Sequence, residues 1–77
     1  MRVVRAYTGD LKQGDVYEGR ADGNRIRVDN IYQKGTDKVW TVDLVYTHSH
    51  TKEGSTLPMT CFDFENMLKR GHFRKVN

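Results

Sequence analysis

Apolar and polar residues alternate with period two along much of this chain. The longest such run is residues 39–47, where Trp40, Val42, Leu44 and Tyr46 hold the even positions, while Thr41, Asp43 and Thr47 share the odd ones with Val39 and Val45. Period-two alternation places one face of a strand on a core. This segment, with the only Trp and no Gly or Pro, is therefore expected to be the central strand. Upstream, residues 16–20 and 25–32 read as two strands joined through Ala21-Asp22-Gly23-Asn24, whose Asp-Gly pair suits a tight antiparallel hairpin. Residues 2–7 read as a short strand or extended arm, followed by turn signals at Thr8-Gly9-Asp10 and Lys12-Gln13-Gly14-Asp15.

The second strand of that hairpin changes phase. Ile26 and Val28 share one face, but the next apolar residue, Ile31, is odd-numbered. One extra residue near Asp29-Asn30, a β-bulge, restores the inward set. With residues 33–38 as the loop to the central strand, Ile31 is expected opposite Trp40, Val28 opposite Val42 and Ile26 opposite Leu44. Arg27 then lies across from Asp43 on the outer face as a cross-strand ion pair.

Beyond the central strand, residues 48–54 contain no apolar side chain and read as a solvated loop. Residues 55–61 alternate again, with Leu57, Met59 and Cys61 inward. Pro58 falls on the other face, where its missing N–H is tolerated at a sheet edge or a bulge. Thr60 followed three residues later by Asp63 is a helix-start signal. A helical segment is predicted over residues 62–70, burying Phe64, Met67 and Leu68 and stopping at Gly71. Residues 72–76 form a last strand expected to pair with an early one.

Composition narrows the function classes. A chain of 77 residues is one domain with a small core and buries only about 60% of the surface its unfolded form exposes. Little interior remains for a deep pocket, so surface binding is expected and catalysis is not. One Cys excludes an intramolecular disulfide framework and suits a reducing compartment. No apolar run has membrane-helix length and the first residues lack a signal-peptide core, so a cytoplasmic protein without membrane contact is expected. The net charge of +3 and pI near 9.2 lean toward an anionic partner.

Candidate chemistry is sparse. His48 and His50 form a His-x-His pair with Cys61 and His72 as conceivable further ligands, but the spacing fits no structural zinc pattern. Cys61 has no local His base, and Asp63 and Glu65, two apart on a helix, do not face each other. No catalytic residue, metal, cofactor or small-molecule substrate is expected. Arg2, Arg5, Lys69, Arg70, Arg74 and Lys75 cluster near the chain ends, and Arg20, Arg25 and Arg27 line the first hairpin. Together they form a candidate nucleic-acid surface, with Tyr7, Tyr17 and Tyr32 as stacking candidates if they face solvent. The competing reading pairs those arginines with Asp15, Glu18, Asp29 and Asp43 and sinks Tyr17 and Tyr32 into the core. A second candidate surface is the odd face of the central strand, Val39, Thr41, Asp43 and Val45, which suits a protein partner or a second copy of the chain, making a monomer or homodimer.

The Gly14-Asp15-Val16-Tyr17 opening, the meander after it, the helix between the last two strands and the basic closing strand resemble small SH3-like β-barrel proteins, including those of bacteriophages. The resemblance implies a mainly β fold, a small SH3-like antiparallel barrel with one short helix before the last strand, as a single domain over residues 1–77. It further implies a phage-encoded, non-catalytic binding module in the host cytoplasm, for nucleic acid or for a host or phage protein.

Overall fold

The computed structural model describes residues 7, 9–49 and 51–77. The expected strand at residues 2–7 falls almost wholly outside them, as do Arg2, Arg5 and His50. The described chain is mainly β, with the order β1 (Val16–Gly19), β2 (Arg25–Lys34), β3 (Val39–His48), β4 (Thr56–Thr60), α1 (Cys61–Lys69) and β5 (Phe73–Lys75). The five strands make one antiparallel sheet in the order β4-β3-β2-β1-β5. The last strand does return to an early one, pairing with β1.

The alternation of β3 has the expected consequence. Val42 and Leu44 are fully buried and meet Ile26, Val28 and Tyr17 from β2 and β1, Leu11 from the preceding loop, and Cys61 and Phe64 from α1. Trp40 and Tyr46, nearer the strand ends, are half-buried against the same cluster. The phase slip in β2 is a bulge: Val28 pairs with Leu44 and Asn30 with Asp43, leaving Asp29 as the extra residue, after which Ile31 again faces the core opposite Val42.

The register differs from expectation by two residues. The turn between β2 and β3 is residues 35–38, because Gln33 and Lys34 join the ladder opposite Trp40 and Val39. Gly35 and Lys38 both take positive φ, 76° and 56°, which lets the chain reverse in fewer residues than a loop over 33–38. Ile31 therefore faces Val42, Val28 faces Leu44 and Ile26 faces Tyr46. An even shift preserves the inward and outward sets, so the core is as expected while the cross-strand partners are not. The expected Arg27–Asp43 ion pair is absent: Arg27 lies opposite Val45 and reaches Asp29 at 3.5 Å, and Asp43 accepts a hydrogen bond from the Tyr32 hydroxyl at 3.0 Å.

The sheet is also not closed into a barrel. Its edges, β4 and β5, are separated by α1, which packs on β3, β4 and β5. A helix is about 10 Å across with its side chains, whereas paired strands need to approach to about 4.8 Å. A nine-residue helix between the edges thus takes the place of the last strand pairing. Thr60 caps α1, its Oγ1 accepting the Asp63 N–H at 3.1 Å. At the other end His72 N–H donates to the Met67 carbonyl and Gly71 N–H to that of Leu68, with Gly71 at φ 78°. This Schellman pattern satisfies the terminal carbonyls and turns the chain sharply into β5.

The two edges present different backbones. Tyr46 N–H bonds to Ser55 carbonyl, so by antiparallel alternation Leu57 and Met59 also point toward β3, and Thr56, Pro58 and Thr60 point outward. Pro58 interrupts that outer row of donors. On β5, Arg20 N–H donates to His72 carbonyl and Val76 N–H to Val16 carbonyl, which leaves the N–H groups of Phe73 and Lys75 facing outward.

Candidate functional site

The basic residues predicted for a binding surface divide into two groups. Those on the sheet are paired. Glu18, on β1 between the two strands it bridges, accepts from Arg25 of β2 at 3.3 Å and from Arg74 of β5 at 3.1 Å, while Lys75 reaches Asp15 at 3.6 Å. The hydrogen bonds from Arg74 and then Arg25 hold the Glu18 carboxyl below its ordinary range. Arg20, Lys69 and Arg70 make no ion pair among the described residues, and all three are exposed. Arg20 stands on the β1–β2 turn, while Lys69 ends α1 and Arg70 caps it.

These cations border one corner of the molecule, where the β1–β2 turn meets the end of α1 and the start of β5. At this corner lies an open cleft of about 400 Å³ lined by Arg20, Asp22, Met67, Gly71, His72 and Phe73. A hollow on one side shares Arg20 and Phe73 with it and adds Glu18 and Arg74; a hollow on the other shares Met67 and His72 and adds Arg70 and Met59. Arg20 leans across the turn, its Nη1 so near Gly71 that a β-carbon there would meet it at 3.2 Å. The floor is largely apolar. Phe73 is half-buried and tilted against Phe64 with ring centroids 5.6 Å apart, and Met67 is half-buried beside it. Asp22 folds back over its own turn, accepting from the N–H and the side-chain amide of Asn24 at 3.0 and 3.3 Å.

The tyrosines named from sequence are not at this corner. Tyr17 is 5% exposed and edge-on to Phe64, Tyr7 packs on Trp40 at 5.5 Å with its hydroxyl donating to Glu65, and Tyr32 is half-buried and bonded to Asp43. The aromatic rings at the cleft are instead His72 and Phe73, and its lip carries Asp22. Nothing in the linear pattern joins residues 20–22 to 67–73; only the β1–β5 pairing does.

The odd face of β3 is less open than its pattern suggests. Val39 is exposed and Asp43 and Val45 are half-buried, but Thr41 is only 6% exposed, flanked by its strand partners Tyr32 and Thr60. Among the described residues the most exposed large apolar side chain is Phe62 in the first turn of α1, at 72%.

Cys61 is buried, and burial followed by the nearby Glu65 charge pushes its thiol up, opposite to the shift an activated nucleophile needs. Among the described residues no three His, Cys, Asp or Glu side chains converge as a metal site would require, and no helix is long and apolar enough to cross a membrane. Compared with protein-family models, curated proteins and solved structures, the chain matches none.

Proposed function

We propose that this protein is a non-catalytic module that binds nucleic acid through the cationic corner formed by Arg20, Lys69 and Arg70. The observation that carries this reading is that Arg20 and Arg70, from segments fifty residues apart, line adjoining hollows of one corner, and neither makes an ion pair among the described residues, although Asp22 and Asp63 line the same hollows. Phosphate contacts need exposed cations free to exchange counterions, and this corner supplies them where the sheet face, with Arg25 and Arg74 sharing Glu18, is partly neutralised. Small SH3-like proteins of phages, which the element order resembles, offer a setting for such a module in the cytoplasm of a host cell.

The test is a salt-dependent titration of a labelled oligonucleotide. Affinity is expected to fall steeply between about 50 and 200 mM salt. Replacing Arg20 or Arg70 by Ala is expected to reduce the log-log slope by about 1 for each lost phosphate contact. Absence of binding at low salt would rule the reading out. A second reading, a protein-interaction module for a host or phage protein, is favoured by the exposure of Phe62, and salt-insensitive partner capture abolished by Phe62→Ala would support it.

A further inference from the structure

We infer that the corner is built for single-stranded nucleic acid, with one unstacked base seated in the cleft between Arg20 and His72; this rests on the nucleic-acid reading above. The cleft does not look like a phosphate cradle. Its floor is Met67 and Phe73, and its lip carries the Asp22 carboxylate, which repels an anion. The cations stand around it: Arg20 on the turn side, Arg70 across the neighbouring hollow and Arg74 beyond Phe73. An apolar floor, an acceptor at the lip and cations on the rim together call for a ligand with a flat apolar body, a donor edge and a flanking anionic backbone. An extruded nucleotide has these three parts in that arrangement.

A duplex does not. Its bases are stacked, their faces are covered, and it presents phosphates and groove edges that cannot fill an apolar concavity. The volume, about 400 Å³, falls in the usual range of roughly 300–1,000 Å³ for a site that encloses a small ligand. His72 is exposed and at the cleft wall, so its ring is available to stack. Each oxygen of Asp22 already accepts one hydrogen bond from Asn24, but a carboxylate has about four acceptor positions. The remaining capacity favours bases with amino or imino donors, as when Asp accepts from the cytosine amino group.

The experiment uses the full chain and competes a labelled single-stranded oligonucleotide of mixed sequence against its own duplex at low salt. Single-strand binding about tenfold tighter than duplex binding is expected, as loss of one stacked base is worth at least several-fold. His72→Ala should abolish most of that preference while leaving the salt slope intact, and Arg70→Ala, outside the cleft, should lower the slope while leaving the preference. Asp22→Asn should change the ranking of cytosine- against thymine-rich strands. A thermal melt of each variant separates these effects from misfolding. Equal affinity for single strand and duplex, or a preference unchanged in a folded His72→Ala variant, would overturn the inference while the nucleic-acid reading stands. Absence of binding to either would remove both.

Discussion

Tyr7, Tyr17 and Cys61 sit where an ionised side chain is poorly solvated. Burial raises the proton affinity of all three, and the Glu65 carboxylate adds to it in each case. The native state therefore keeps protons that the unfolded chain releases. Stability falls with pH wherever the native state binds more protons than the unfolded one. The decline is expected to begin near the ordinary thiol range, at about pH 8.5, and to steepen through the ordinary tyrosine range near pH 10. Melting temperatures measured across this window should fall in the parent protein. They should fall less in Tyr7→Phe, which has no proton to release. A flat alkaline limb in the parent would contradict this account of the Tyr7–Glu65–Cys61 cluster.

At the scale of elements, Glu18 ties three strands together, since its own β1 lies between the β2 and β5 arginines that it accepts from. Its carboxyl is held low, so the tie is complete above the ordinary carboxylate range and weakens as pH drops toward the folded value. Glu18→Gln is expected to keep the geometry but to release the charges of Arg25 and Arg74. If those strands border a nucleic-acid surface, the variant should bind an oligonucleotide more tightly at low salt and with a steeper salt slope. Unchanged affinity would separate the sheet face from the proposed binding corner. The elements themselves were legible in sequence because each rests on a local rule. Alternation placed β3, the odd-numbered Ile31 revealed the bulge, and Thr60 with Asp63 and Gly71 framed the helix. The register was not legible, because a turn of four residues and a loop of six preserve the same parity and bury the same side chains. The cleft was not legible either: it depends on where the end of α1 lands relative to the β1–β2 turn, a tertiary placement that no period encodes.

At the scale of the molecule, an open sheet has two edges where a closed barrel has none, and these two are unequal. β4 turns Pro58 outward and breaks its own row of donors, while three-residue β5 leaves Phe73 and Lys75 able to pair. Filament growth is a chain reaction that needs two live ends on every unit. Among the described residues the sheet has one, so a β5-to-β5 contact between two copies is a termination step, closed by a twofold axis with nothing left to extend. Sedimentation at rising concentration should stop at a dimer in the parent. Pro58→Thr, which restores the missing donor, should be the variant that continues to larger species.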